Sequence, residues 1–298
     1  MKRLPTALAA SMALVLAAAC TPQEQRPADD LKVLISVDME GIAGAVHSEE
    51  MSRTGKDYDY FRVIMTEEAN AAIDGALAAG ATHIVVRDAH GSARNILPDL
   101  LRPEALLLRD WTGGPLSMVE GIDESFHAVV FVGYHAKAGT PDAILQHTMT
   151  GGVADISING ISMPETGINA LLVGHYGVPV VFVAGDQAIC DEALEILGKV
   201  ECVATKQGIG DVQSAALSLH PEVAREKIQA GVEKAIRARG EYSPFRLEAP
   251  YTMVLQLRNP ERVEQAATYP GAVRTGEMEL TYTSDDLLDV ITAFARMR

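Results

Sequence analysis

The chain has 298 residues, 48% of them hydrophobic and 22% charged, with a formal net charge of -15. That is enough apolar material for a sizeable core, in one large unit or two modest ones. So acidic a chain, with no basic run, argues against a nucleic-acid binder, because phosphate backbones call for clustered Lys and Arg.

The N-terminus reads as an export signal and a tether. Lys2 and Arg3 form a positive start, and Thr6 to Ala19 is a small-residue apolar stretch. That stretch is long enough for a signal core and shorter than the roughly 20 residues of a membrane-spanning helix. Leu16-Ala17-Ala18-Ala19-Cys20 resembles a bacterial lipobox. Residues 1–19 are therefore expected to be removed and Cys20 to carry a lipid that anchors the protein on the periplasmic side. Thr21, rather than Asp, after the cysteine favours the outer membrane; the alternative is a soluble periplasmic protein cut at Ala19. Residues 20–30 are polar and contain proline, as a flexible tether would.

From Leu31 onward apolar runs alternate with helical patterns. Lys32 to Val37 reads as a buried strand, Tyr60 to Ala79 as a helix stopped by Gly80, and His83 to Arg87 as the next strand. Ala128 to Tyr134 is another apolar strand. Asp155 to Ile158, Asn159-Gly160 and Ile161 to Met163 form a hairpin with a two-residue turn. Ile168 to Tyr176 is helical, Val178 to Ala184 a strand, Ala188 to Leu197 a helix and Val200 to Thr205 a strand. This alternation predicts an α/β fold, a mostly parallel sheet flanked by helices in three layers, over residues 31–206. Residues 207–298 read as a smaller C-terminal α+β domain. It would hold a charged helix over Pro221 to Arg239, strands at Tyr251 to Leu257 and Glu277 to Thr283, and a last helix to Met297 capped by Ser284 with Asp285.

Three of the predicted strands end in residue types that bind metals: Asp38 and Glu40 after the first, Asp88 and His90 after the second, His135 after the third. Parallel sheets of this class present their ligands at the carboxyl ends of the strands. Residues two apart on an extended segment share a face, so Asp38 and Glu40 can point at one place. A pocket of carboxylates and imidazoles repels itself, and a divalent cation such as Zn²⁺, which accepts both donor types, resolves that. Each residue alone has a plainer reading as a turn former, helix cap or structural histidine. Asp88 either orients His90 or caps a turn, Asp186 reads as a helix cap, and Lys206 and Asn169 read as pocket lining or, for Lys206, a solvated strand end. Cys190 and Cys202 read as buried small hydrophobes, which export would permit to form a disulfide.

Ser36-Val37-Asp38-Met39-Glu40-Gly41 resembles the Ser-x-Asp-x-Glu-Gly signature of the DppA-type D-aminopeptidases, a zinc metallopeptidase family. Further segments follow in that family's order: Met65 to Asn70, Asp88-Ala89-His90, Ser117 to Gly121, Gly133 to Ala136, His147-Thr148-Met149, Glu165 to Ala170 and Val183 to Asp186. The resemblance implies two zinc ions per chain. Asp38 would bridge them, Glu40 and His90 would complete the first site, His135 and Glu165 the second, and His147 would act in catalysis. It also implies an aminopeptidase that releases N-terminal, D-configured residues from short peptides by metal-activated water attack, and a ring-like homo-oligomer, a decamer, enclosing its active sites. The rival readings are another two-metal amidase or phosphoesterase, and a lipoprotein that binds peptide or metal without turnover.

Overall fold

A computed structural model of the chain describes residues 30–210 and 215–298. The expected signal peptide, Cys20 and the tether before Asp30 lie outside the described residues. The first half runs β1 (Lys32–Val37), α1 (Ser48–Met51), α2 (Tyr58–Ala78), β2 (His83–Asp88), β3 (Ala105–Leu108), β4 (Ala128–Tyr134), β5 (Val153–Ile158), β6 (Ile161–Ser162) and α3 (Glu165–His175). The second runs β7 (Val180–Asp186), α4 (Gln187–Leu197), β8 (Glu201–Ile209), β9 (Ala215–Ser218), α5 (Pro221–Arg237), β10 (Tyr251–Leu257), α6 (Pro260–Ala266), β11 (Val273–Arg274), β12 (Glu279–Ser284) and α7 (Leu287–Met297). No helix among the described residues is long and apolar enough to cross a membrane.

The main sheet has the order β3-β2-β1-β4-β7-β8-β9 and is parallel except where β9 returns along β8. Its inner strands are apolar throughout because both faces are covered. Alternate residues serve different layers. Val33, Ile35 and Val37 of β1 meet α2 and α5, whereas Leu34 joins the core under α3, α7 and the second sheet. These are the predicted three layers.

The second sheet is antiparallel, in the order β11-β12-β10-β5-β6. It corrects the expected division of the chain at 206/207. That cut falls inside β8. The hairpin β5–β6, assigned to the first domain, pairs with β10, Met253 standing opposite Ile158. Helix α5, assigned to the second, buries Ile228, Val232, Ala235 and Ile236 against the main sheet and α2. The reason is packing: an amphipathic helix goes where its apolar stripe is covered, and the bare face of the main sheet is the nearest such surface. Asn159 and Gly160, both at positive φ (51° and 81°), make the predicted tight turn.

Cys190 and Cys202 form a disulfide between α4 and β8, with Cα atoms 5.7 Å apart and a sequence separation of 12. Closing so short a loop is worth about 2–3 kcal/mol of stability. Denaturant unfolding with and without reductant is expected to differ by that amount, and a Cys190→Ser variant to match the reduced protein.

Candidate metal centre

The chain runs β1, β2, β3 to one edge and then returns to place β4 on the other side of β1. The crevice opened at such a reversal, at the carboxyl ends of the strands, is where this class of fold binds ligands. Asp38 and Glu40 leave β1 there, His90 follows β2, and His135 follows β4. Glu165 is the first residue of α3, where the helix dipole favours a carboxylate. His147 lies on the loop between β4 and β5, between Leu145 and Met149, which both hold positive φ (56° and 62°). Met149 N–H anchors that loop on Glu165 Oε1 at 2.6 Å.

The β1 and β4 ends are clamped together by Asp38 N–H to Val132 O and Gly41 N–H to Gly133 O, both 2.8 Å. Only glycine fits the clamp. A Cβ on Gly41 would stand 1.9 Å from Tyr134 O, and one on Gly133, which has φ +72°, 2.2 Å from Asp38 O. Buried Lys206 grips the loop after β1 from below, its Nζ donating to the carbonyls of Glu40, Ile42 and Ala45. It is neither pocket lining nor a solvated strand end. Burial lowers its pKa to about 8, against the pull of the carboxylates of Asp186, Glu68 and Glu40. Glu68 holds the same loop by accepting from Ala43 N–H at 2.8 Å.

The expected ligands converge in two groups. His90 Nδ1 stands 3.2 Å from Asp38 Oδ1 and 2.9 Å from Glu40 Oε2. His135 Nε2 stands 3.6 Å from Asp38 Oδ2 and 3.5 Å from Glu165 Oε1. Within each group the candidate donor atoms lie within 4.8 Å of one another. Asp38 thus offers one oxygen to each group. The far nitrogens are tied to backbone carbonyls, His90 Nε2 donating to Met51 O at 3.0 Å and His135 Nδ1 to Ala136 O at 2.9 Å. This holds each outer N–H on a carbonyl, so that the inner nitrogen is the one a neutral ring would offer to a metal. His135 Nε2 is then a buried polar atom with no hydrogen-bond partner, as a metal ligand without its ion would be. Nitrogen and oxygen donors in this set suit Zn²⁺.

Electrostatics agrees. Burial, and then the charge of Glu40, push the Asp38 carboxyl up to about 8. Burial also works against ionised Glu40 and Glu165, but the imidazoles of His90 and His135 respectively outweigh it and hold both below the usual range. Burial opposes a charged His135, yet Glu165 and its neighbours raise it to about 10. Protons held on the imidazoles supply the positive charge that a divalent cation would otherwise bring, so metal uptake here releases protons.

His147 is placed differently. Its ring stacks on that of His135, centroids 4.2 Å apart. Nδ1–H donates to Leu145 O at 2.9 Å. Nε2 faces Glu165 Oε1 at 3.8 Å and Glu40 Oε1 at 4.0 Å. Its side chain is 28% exposed, against 11% for His90 and 1% for His135.

Asp88 is the turn former: its carboxylate accepts from Asn95 N–H, Ile96 N–H and Asn95 Nδ2, and does not touch the His90 ring. Asp186 caps α4 through Ile189 N–H and also accepts from Ile144 N–H. Asn169 lies behind the site, donating to Tyr134 Oη at 3.3 Å. Sequence reasoning missed the cavity in front of the metal residues, of about 380 Å³, whose walls include Trp111, Met118, Met149 and Arg298. No local pattern marked them. Buried Arg87 holds the Trp111 loop, donating to Asp110 O and Ser117 O and lying 4.4 Å over the indole.

Glu68 carries a pH prediction. Burial raises its carboxyl from 4.5 to about 7. The folded state keeps a proton that the unfolded chain gives up, so this stabilising contribution is whole below pH 4.5 and lost as pH rises towards 7. Between pH 5 and 8 the native protein is expected to lose on the order of 1–3 kcal/mol through this group. Glu68→Gln should flatten that part of the stability profile, measured by denaturant unfolding at both pH values.

Comparison with known proteins gives a consistent result. A family model described as D-aminopeptidase matches residues 31–296. A D-aminopeptidase of Bacillus subtilis (strain 168) is 34% identical over 268 residues, 90% of this chain and 96% of its own. The solved structure of the Zn-dependent D-aminopeptidase DppA from Bacillus subtilis, a self-compartmentalizing protease, superimposes with a TM-score of 0.86 at 34% identity, over 90% of this chain and 96% of that one. The expected motifs, the sheet that brings them together and the matched length all lead to one assignment: this chain belongs to the D-aminopeptidase family.

Proposed function

We propose that the protein is a zinc aminopeptidase that releases N-terminal D-amino acids from short peptides. The observation that carries this is Asp38 offering one oxygen to each of two histidine–carboxylate groups at the floor of an open cavity. Asp38, Glu40 and His90 would hold one zinc ion, and Asp38, His135 and Glu165 the second. When bound, such a pair supplies Lewis acidity and a water acidified towards neutrality. The chain supplies the rest. Met51 and Ala136 carbonyls keep the histidine lone pairs aimed inward, and the Gly41–Gly133 clamp keeps Asp38 in place. His147, the imidazole most open to the cavity, donates or accepts a proton at Nε2 as charge develops on the substrate.

The preference for D-residues is drawn from the named activity of the relatives. The self-compartmentalizing relative supports a homo-oligomer; a decamer with sites facing an inner chamber is what the motif resemblance implies. Light scattering on residues 31–298 tests it, and a monomer mass would remove the chamber. Export with a lipid on Cys20 is supported by the lipobox-like sequence and by the disulfide, which oxidising compartments favour. A Cys20→Ala variant should be released from membranes, and wild type without lipid by mass spectrometry would refute the anchor.

The deciding experiment is an assay of zinc-loaded protein on paired D- and L-alanyl amides with a phosphoester control. Turnover of the D-amide alone supports the reading. Turnover of the phosphoester, or of nothing while peptide binds, would transfer the site to a different hydrolase or to a binding protein.

A further inference from the structure

Arg298 follows α7, whose buried face (Leu287, Val290, Ile291, Phe294, Met297) seats it against the core of the second sheet. Its main-chain oxygen is held by Arg262 Nη2. Its half-buried side chain lines the same cavity as Asp38, Glu40, His147 and Glu165. Among the described residues no hydrogen bond or ion pair engages its guanidinium, which lies 5.6 Å from the centroid of the Phe294 ring. Other arginines withdrawn from solvent do have such partners: Arg87 donates to two carbonyls and Arg246 to Gly174 O. Burial pulls the Arg298 pKa down, and the charge of Glu165 opposes it. Its guanidinium nitrogens are not fully buried and remain open to the cavity, so an anion entering there meets an unpaired cation. The remaining charged groups on this cavity are the metal-holding residues, His147 and the exposed Arg296.

We propose that Arg298 is the carboxylate subsite of the cleft, which makes very short peptides with a free C-terminal carboxylate better substrates than their amides. The inference rests on the peptidase reading above. A peptide lying in the cavity has its free amine and scissile carbonyl at the metal residues. Two extended residues span about 7 Å, so the terminal carboxylate of a dipeptide lies within one short chain length of the reacting bond. Guanidinium is the group best shaped to take it in two parallel hydrogen bonds. An amide in that place leaves the guanidinium facing a neutral group, and a long peptide has no carboxylate within reach.

The test compares D-alanyl-D-alanine with D-alanyl-D-alaninamide on zinc-loaded wild type, Arg298→Met and Arg298→Lys. Wild type should favour the free acid by about 10- to 100-fold in kcat/KM, mostly through KM, as one charge-assisted pair warrants. Arg298→Met should collapse that ratio to near one, and Arg298→Lys should keep part of it. Because the ratio is internal to each protein, a loss of folded fraction cancels. No preference in wild type, or an unchanged ratio in Arg298→Met, overturns the assignment. Calorimetric titration of both compounds into zinc-loaded His147→Ala protein, with and without Arg298→Met, gives the same ratio from binding alone. If wild type hydrolyses neither compound, the peptidase reading fails, and the titration still decides whether Arg298 selects the carboxylate.

Discussion

Asp38→Ala is expected to yield a folded protein that holds neither zinc ion and has no measurable peptidase activity. Among the described residues Asp38 is the carboxylate whose two oxygens face both histidines, at 3.2 Å from His90 and 3.6 Å from His135. Losing it removes a donor from each group at once. The effect should exceed the roughly 10- to 100-fold loss of affinity seen when only an outer partner of a ligand is removed. The fold should survive, because burial and the charge of Glu40 already push the Asp38 carboxyl up to about 8 in the metal-free protein. Its removal relieves a strained acid cluster rather than breaking a favourable one. Metal analysis of the purified variant beside its circular dichroism spectrum checks both halves. Glu165→Ala, touching one group, should retain part of the metal. A full complement in Asp38→Ala would refute the bridging role.

His147→Ala is expected to do the opposite: to keep its zinc and lose turnover by about 10²- to 10⁴-fold, the range for one acid–base or oxyanion group. The five inner residues already provide each group with three donor residues, and catalytic zinc needs a position left open. His147 Nε2 sits 3.8 and 4.0 Å from the Glu165 and Glu40 carboxylates, farther than His90 and His135 are from their own partners. Its ring is also the most exposed of the three. The fall should appear in kcat with little change in KM, since the group acts as charge develops rather than in holding the peptide. Zinc lost together with activity would instead make His147 a ligand, sharing an ion with Glu40 and His135.

The sequence made these residues legible because parallel strands announce themselves. An apolar run ending in Asp-x-Glu or Asp-x-His has only one end at which to place them, and β1, β2 and β4 fall within a residue of where the runs predict. Glu165 and His147 were legible only through the family resemblance, since neither ends a strand. What escaped depends on chain geometry at long range. β3 and β9, four residues each, are too short to carry a period. Lys206 looked like a strand end, and nothing local says that its amine turns down to three carbonyls some 160 positions earlier. Trp111 and Arg298 meet at one cavity because a loop and the last helix are folded onto the same crevice, and no spacing rule connects them. The domain boundary was misread because β8 and α5 resemble the start of something new, when they complete something old.

That interleaving bears on the order in which the chain can mature. β5 and β6 leave the ribosome long before β10, the strand that must lie between them and β12. Until it emerges, the inner edge of β5 stays unpaired, a ready template for the wrong strand. The second sheet therefore closes late, and the main sheet obtains α5 late as well. Neither half can finish alone, so the polypeptide matures as one cooperative unit.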